Sequence, residues 1–194
     1  WDGVQKYWKG RNDLLPMWVA DMDFKTAPFV VEALKKRLDH EVIGYTFACD
    51  EWYEAIINWV NVRFDLTITR DMIDYSPGIV HGITFAILCF TDPGDKVLIT
   101  PPVYHPFFLM TEHNNREVVW SPLVLENGQY HIDFDRFRRD VQGCKLFILS
   151  NPHNPGGRVW TKEELQTIAS ICAESGTIVI SDEIHADLTL PPYR

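Results

Sequence analysis

Two kinds of hydrophobic pattern alternate along the chain from residue 72 onward. Short apolar runs predict buried strands, and longer segments with apolar residues three or four positions apart predict helices. The predicted strands cover 73–75, 96–100, 117–120, 145–150 and 177–181, and the predicted helices cover 79–90, 104–113, 134–141 and 161–175. This alternation predicts an α/β fold with a largely parallel sheet.

The first part of the chain follows a different pattern. Residues up to 23 lack sustained periodicity and predict an arm that packs on another part of the protein. Two helices are predicted after it, over 26–39 and 50–64, because their apolar residues recur at helical spacing. The second helix should bury five large side chains on one face: Trp52, Ile56, Trp59, Val60 and Phe64.

Local turn residues sharpen two of these predictions. Asn127-Gly128 predicts a tight hairpin turn between two short strands, because both residue types tolerate positive φ. Thr161 and Glu164 have the spacing of a capping box at the start of the last helix, and Gly176 stands where a helix usually ends.

Composition and charge narrow the classes of protein. With 194 residues, 46% of them hydrophobic and 23% charged, the chain is long and apolar enough to bury a core. Its formal charge is −9, which opposes a broad electrostatic grip on nucleic acid or on an anionic membrane. We therefore predict no nucleic-acid partner and no membrane partner, and a phosphate-bearing ligand would have to be held locally.

The cysteines and the first residues bear on the compartment. Cys49, Cys89, Cys144 and Cys172 form no CxxC pair and have no histidine at zinc-finger spacing. The chain has no apolar run of 18 residues, and its start, WDGVQKYWKG, lacks the pattern of a signal peptide. These features predict a protein of the reducing cytoplasm.

Ligands of a parallel sheet gather beyond the carboxyl ends of its strands, so the residues there are the first candidates for chemistry. Gly78 precedes the helix that begins at Ile79, where backbone N–H groups can approach a phosphate, although glycine before a helix is also an ordinary turn. Tyr104 follows Pro101-Pro102, where its ring could stack on a planar cofactor or belong to the core.

The segment SNPHNPGG at 150–157 follows a third strand. The prolines force Asn151 and Asn154 out of the helical region, which fixes the directions of their amides. This pattern favours a binding loop.

A buried strand, IVIS, ends in the carboxylate pair Asp182-Glu183. A carboxylate at this place needs a cation, a metal or a protonated ring nitrogen as partner, and a structural salt bridge would also serve. An apolar strand with such an end resembles a Walker B element, but the chain has no GxxxxGK[ST] to accompany it. A metal site of Asp182, His185 and Asp187 stays open, although alternate positions on an extended segment diverge.

Taken in order, these segments resemble the pyridoxal 5′-phosphate (PLP) enzymes of fold type I, the aspartate-aminotransferase superfamily. MWVADMDF at 17–24, Gly44-Tyr45 and SDEIHADL at 181–188 resemble the branch of cystathionine β-lyases and cysteine C–S lyases, often classed with class I/II aminotransferases. The resemblance implies a PLP-dependent transferase-like fold, a three-layer α/β/α arrangement with a mainly parallel sheet, incomplete in this chain. Gly156 departs mildly from the family, which usually has a small hydroxyl residue there, and this should leave Asn154 unaffected.

The resemblance also implies roles around the cofactor ring. Asp182 would face the pyridine nitrogen and keep it protonated, so that the ring acts as an electron sink. Asn154 would bind the phenolic oxygen, and His185, where many relatives have a tyrosine, would support the same edge. Tyr104 would stack on the ring face.

Further roles concern the phosphate, the substrate and a second subunit. Gly78, Ile79 and Val80 would offer backbone N–H groups to the phosphate. Tyr45 in relatives reaches the phosphate of the neighbouring subunit, which implies a homodimer with shared active sites. The segment around Ala20 would lie beside the carboxylate of an amino-acid substrate.

The family also needs a lysine that forms a Schiff base with the cofactor, in a Ser-x-Ser-Lys type motif after the Asp182 strand. All eight lysines of this chain precede Asp182, and none lies in such a motif. We therefore expect no catalytic residue in this chain and a Schiff-base lysine beyond Arg194. Residues 1–25 are expected to be an arm contributing to a small domain, and 26–194 the first part of the large cofactor domain.

The function that the resemblance implies is PLP-dependent β-elimination on cystathionine or cysteine-type substrates, which yields a thiol, pyruvate and ammonia. Transamination uses all the residues named above and remains an alternative. A non-catalytic regulatory protein of the same fold is a second alternative, since a chain without the lysine could act only by binding.

Overall fold

The computed structural model describes residues 4–11, 13–14 and 24–192. Contacts divide the chain into two compact units, Trp1–Cys49 and Asp50–Arg194. The first unit contains helices α1 (Val4–Trp8) and α2 (Pro28–Leu38), and Pro28 lies in the first turn of α2, where its missing N–H costs nothing. The predicted division into an arm of 1–25 and a cofactor domain from residue 26 stays a prediction.

The second unit contains the strands and the other helices. Its strands are β1 (Lys96–Ile99), β2 (Glu117–Trp120), β3 (Val124–Glu126), β4 (Gln129–His131), β5 (Cys144–Ser150) and β6 (Ile178–Asp182). Its α-helices are α3 (Asp50–Phe64), α4 (Ile79–Phe90), α5 (Pro106–His113), α6 (Phe134–Asp140) and α7 (Lys162–Ser175). Four strands form a parallel sheet in the order β2-β1-β5-β6, and β3 and β4 form the predicted antiparallel hairpin.

The sheet is covered by helices on both faces. One core contains Ile83 and Ile87 of α4 and Phe107 of α5, packed on side chains of β1 and β5. The other contains Phe137 of α6 and Ile168 of α7, packed on the opposite side chains of the same two strands. Side chains of a strand alternate between faces, so the continuous apolar runs of β1 and β5 fill both cores. This three-layer α/β/α arrangement confirms the predicted fold class.

Helix α7 begins and ends as its sequence predicts. The side chain of Thr161 accepts a hydrogen bond from the N–H of Glu164, and the carboxylate of Glu164 accepts one from the N–H of Thr161. Gly176 ends the helix with φ of +70°, a conformation that favours glycine. The capping box also places Glu164 beside the loop that follows β5.

Two predictions for residues 50–75 were wrong. Ile73 is extended, with φ of −113° and ψ of 123°, but residues 73–75 pair with no strand in the described part of the chain. Helix α3 has the predicted bounds, yet Trp52, Trp59 and Phe64 are 36%, 54% and 37% exposed, so its apolar face is not buried within the described residues. In both cases the local conformation was predicted correctly. The predicted strand pairing at 73–75 and the burial of the α3 face would each need a neighbouring segment that the described residues do not supply.

None of the helices in the described ranges is long and apolar enough to cross a membrane.

Several apolar side chains of α4 and β6 are exposed. Phe85, Leu88 and Phe90 of α4 are each about half exposed. Ile178 and Val179 of β6 are 42% and 37% exposed, so the prediction that this strand is buried was wrong. The reason is that β6 is an edge of the described sheet. Exposed apolar patches and open strand edges both promote association.

We therefore expect the 194-residue chain, expressed by itself, to self-associate in sedimentation velocity. Leu88→Lys should reduce this association because it places a charge within the patch. Gln166→Lys, which adds the same charge on the exposed side of α7, is the matched control and should leave association unchanged. A monodisperse monomer of the unmodified chain would contradict the prediction.

Candidate functional site

The parallel strands bring three of the predicted site segments to one edge of the sheet. Strands β1, β5 and β6 are neighbours, and they lead into Tyr104, Asn154 and the segment after Asp182 respectively. Ser150 is in register with Asp182, and the N–H of Asn151 donates to the carbonyl oxygen of Asp182 at 3.0 Å. The Asn-Pro loop and the carboxylate are therefore held side by side by backbone pairing.

One carboxylate oxygen of Asp182 has no hydrogen-bond donor among the described residues. The residue is 8% exposed, and its Oδ1 accepts a hydrogen bond from the N–H of Ile184 at 3.1 Å. Within the described ranges, Oδ2 accepts no hydrogen bond and no cation pairs with the carboxylate. Burying a carboxylate is costly unless it is paired, so Asp182 is suited to accept a hydrogen bond from a bound cationic group.

The two asparagines of the loop have different surroundings. Asn151 uses its Oδ1 to accept the N–H of Trp160 at 3.2 Å, so its side chain holds the loop together. The backbone N–H of Asn154 donates to Ser150 Oγ at 3.1 Å, but its carboxamide has no hydrogen-bond partner in the described part of the protein. The peptide bonds Asn151-Pro152 and Asn154-Pro155 are both cis. Of the two carboxamides, that of Asn154 has both its oxygen and its nitrogen available to a ligand, whereas the oxygen of Asn151 is already used.

A buried histidine lies inside this loop, and sequence reasoning did not identify it. His153 is 3% exposed; its Nδ1 accepts the N–H of Gly156 at 3.2 Å, and its Nε2 is buried with no hydrogen-bond partner in the described structure. Burial lowers the pKa of His153 to about 4; the backbone of Thr100 opposes this shift, and the charge of Arg158 adds to it. The imidazole is therefore neutral at physiological pH.

This pKa has a consequence for stability. In the unfolded chain a histidine binds a proton near pH 6.5, whereas the folded protein holds His153 neutral down to about pH 4. Between these values the unfolded state binds more protons, so the free energy of unfolding decreases as the pH falls through this window.

Arg158 anchors the end of the loop. It is 8% exposed, donates to the carbonyl oxygen of Tyr130 at 2.6 Å and forms an ion pair with Glu164. Its guanidinium lies 4.1 Å from the centre of the Trp160 ring, within cation–π distance. The loop is thereby fixed to the hairpin and to α7.

Tyr104 and Gly78 lie at the predicted places, after β1 and before α4. They differ in how far their surroundings are already occupied by other groups of the protein. The ring of Tyr104 is half-buried and packs edge-on against Phe107, with centroids 6.0 Å apart, so it belongs partly to the core. Gly78 precedes α4 and supplies no side-chain cap, in contrast to Asp133 of α6 and Thr161 of α7. The first N–H groups of α4, including those of Ile79 and Val80, are left without an acceptor from a capping side chain.

The other predicted site residues are His185, Tyr45 and Ala20. His185 is half-buried and lines a cleft of about 510 Å³ together with Asn154. Tyr45, in the first unit, is fully exposed, and Ala20 lies outside the described residues, as does the MWVADMD segment at 17–23.

Asp187 does not join Asp182 and His185 in a metal site. Its carboxylate accepts hydrogen bonds from Arg63 Nε and from Trp59 Nε1, both at 3.2 Å, and therefore engages α3. The described residues contain no group of three His, Cys, Asp or Glu side chains placed to hold a metal ion.

Several known proteins are similar to this chain in sequence. The family model described as aminotransferase class I and II matches residues 12–192. Cystathionine beta-lyase PatB of Bacillus subtilis (strain 168) is 43% identical over 196 residues, which cover 100% of this chain and 50% of that protein. A probable aspartate aminotransferase of Methanocaldococcus jannaschii is more distant, with 27% identity over 90% of this chain and 46% of its own. The chain spans about half the length of the curated relatives it matches.

Solved structures share the fold. A PLP-bound putative aminotransferase from Clostridium difficile 630 superposes with a TM-score of 0.93 and 46% identity, over 100% of this chain and 50% of that one. A PLP-bound C–S lyase from Staphylococcus hominis superposes with a TM-score of 0.87 and 41% identity, over 96% of this chain and 48% of that one.

Proposed function

Since the chain belongs to the aminotransferase class I and II family, we propose that the protein containing it is a PLP-dependent carbon–sulfur lyase. Its substrates would be cystathionine or cysteine-type amino acids, cleaved to a thiol, pyruvate and ammonia. The buried carboxylate of Asp182, with Oδ2 free beside the Asn154 loop, is the observation that carries the cofactor assignment. The lyase assignment rests on the 43% identity to a cystathionine beta-lyase and the 41% identity to a C–S lyase.

The surroundings of Asp182 and Asn154 fit the polar edge of PLP. When bound, PLP supplies an electron sink for charge that develops at the substrate Cα. Asp182 Oδ2 would accept the hydrogen bond of the pyridine N–H and favour its protonated form, because a buried anion stabilises a nearby cation. The free carboxamide of Asn154 would donate to the phenolic oxygen, and His185, on the same cleft, would support that edge.

The phosphate and ring face have matching partners as well. Gly78, Ile79 and Val80 would offer backbone N–H groups at the uncapped start of α4, where the helix dipole favours an anion. Tyr104 would stack on the ring, since its half-buried position already limits its motion.

Further parts of the proposal concern the complete protein. Ala20 would lie beside the substrate carboxylate, and residues 1–25 would form an arm of the small domain, with 26–194 the first part of the cofactor domain. Tyr45, fully exposed here, would reach the phosphate site of a second subunit in a homodimer. The lysine that binds the cofactor would follow this chain, and the enzyme would act in the cytoplasm.

Transamination is the second candidate, because a structure with 46% identity is described as a putative aminotransferase. The two reactions differ in what they consume. A lyase converts cystathionine and water to a thiol, pyruvate and ammonia without an amino-group acceptor, whereas an aminotransferase passes the amino group to a keto acid.

The complete protein should show a visible absorption band from bound PLP that borohydride abolishes. With L-cystathionine alone it should release pyruvate and a thiol, and 2-oxoglutarate should not be needed. Glutamate formation that depends on 2-oxoglutarate, without thiol release, would assign transamination instead. Colourless protein that takes up no PLP would overturn the cofactor assignment.

A second prediction isolates the charge of Asp182. Asp182→Asn keeps an oxygen for the N–H of Ile184 but removes the negative charge. Charge-assisted hydrogen bonds contribute about 1.5–3 kcal/mol, so the Kd for PLP should rise about 10- to 150-fold. At saturating PLP the elimination rate should fall at least about 100-fold, as when a preorganised electrostatic contact is lost.

Glu183→Gln is the matched control, because it removes a neighbouring charge from an exposed side chain. It should leave both the Kd and the elimination rate close to wild type. If Asp182→Asn behaved like this control, the carboxylate of Asp182 would have only a structural role.

A further inference from the structure

We propose that His153 is the positioning residue of the Asn154 loop: it fastens the turn from inside through Nδ1 and leaves the Asn154 carboxamide free. What that carboxamide binds rests on the proposed function. The fastening itself is a property of this chain and does not depend on the cofactor.

His153 closes the loop with three hydrogen bonds. Its N–H donates to the carbonyl oxygen of Arg158 at 2.7 Å, and its own carbonyl oxygen accepts the N–H of Gly157 at 2.8 Å. The third bond is from the N–H of Gly156 to Nδ1, at 3.2 Å. Together these bonds enclose Asn154-Pro155. The first two join backbone atoms, so the bond to Nδ1 is the one that depends on the His153 side chain.

The ring also fills the space beneath the turn. A Cβ atom built on Gly156 would lie 2.4 Å from His153 Nδ1, so this ring position is compatible with glycine and with no larger residue unless the ring moves. The ring packs edge-on against Trp160, with centroids 5.6 Å apart. Gly156, where the family usually has a hydroxyl residue, is thus matched to the histidine three positions earlier.

The acceptor at Nδ1 is what a side chain of the same size without a nitrogen would lack. Because Nδ1 accepts a hydrogen bond, the neutral ring carries its proton on Nε2. The ring interacts with the backbone of Thr100, although Nε2 has no partner within strict hydrogen-bond geometry in the described structure. A phenylalanine would fill the same space but would leave the N–H of Gly156 without its acceptor, and a buried donor without a partner is costly.

The charges around the ring keep it neutral. Arg158 is the nearby cation, and its own charge is compensated by Glu164 of α7. On the strand side the ring faces the backbone of Thr100, at the end of β1. Protonation at Nδ1 would remove the acceptor and release the N–H of Gly156.

The test compares two substitutions in the complete protein. His153→Asn retains a side-chain oxygen near the position of Nδ1, whereas His153→Phe retains the ring volume without an acceptor. Amide hydrogen exchange of a peptide covering 151–158 should accelerate at least about 10-fold in His153→Phe, because the opening free energy of that turn falls. It should stay within about three-fold of wild type in His153→Asn, since the acceptor is kept. His113→Asn, at an exposed histidine of α5, is the control.

Exchange measured without PLP tests the fastening alone, so its result stands whether or not the proposed function holds. Unchanged exchange in His153→Phe would overturn the proposal. With PLP added, His153→Phe should raise the Kd about 10-fold and His153→Asn less than about three-fold, which ties the fastening to Asn154. Equal Kd values for wild type and His153→Phe would overturn that link.

A measurement on the unmodified protein covers the case in which His153→Phe does not fold. Deuterium exchange at the imidazole C2 reports the protonation of each histidine. His153 should exchange as a neutral ring down to about pH 4. Titration of His153 near pH 6.5 would show that Nδ1 is not held as an acceptor, and would overturn the proposal.

Discussion

The parallel pairing of β5 with β6 is the constraint on which the site depends. Its register sets Ser150 opposite Asp182, and a backbone hydrogen bond from Asn151 to Asp182 extends the pairing one residue beyond β5. A shift of one residue would turn the Asp182 side chain to the other face of the sheet. Ile180 of β6, which packs against the core on the α4 face, opposes such a shift.

Around this pairing, the structure separates residues that hold the site from residues that are free to bind. Asn151, His153 and Arg158 each use at least one side-chain polar atom to hold the loop, the hairpin or α7 in place. Asp182 Oδ2 and the Asn154 carboxamide keep unused hydrogen-bonding capacity. A preorganised site needs both kinds of residue, because a ligand is bound tightly only when its partners are already fixed.

Sequence reasoning located the features that depend on local pattern. The alternation of apolar runs gave the order of strands and helices, and the capping box gave the start of α7. The residues at the strand ends could be named because parallel strands place their carboxyl ends at one edge. These predictions depend only on residues close together in the sequence, and the structure agrees with them.

Features that depend on distant residues could not be predicted in this way. The burial of His153 requires Trp160 and the turn at Gly156 to close over it, and the partner of Asp187 is Arg63, on α3. The predictions of a buried α3 face and of a strand at 73–75 were wrong for the same reason. A helical or extended pattern does not reveal whether another part of the protein covers it or pairs with it. The resemblance to a known family identified Asp182 and Asn154 as candidate cofactor-binding residues. The structure adds that Oδ2 of Asp182 and the carboxamide of Asn154 have no hydrogen-bond partner among the described residues.

The most direct test of this account is a crystal structure of the complete protein with PLP bound. The account predicts Asp182 Oδ2 at about 2.7–2.9 Å from the pyridine nitrogen, the distance of a charge-assisted hydrogen bond, with Oδ1 still accepting the N–H of Ile184. A pyridine nitrogen that instead contacts water or another side chain, with Asp182 paired to a cation of the protein, would contradict it.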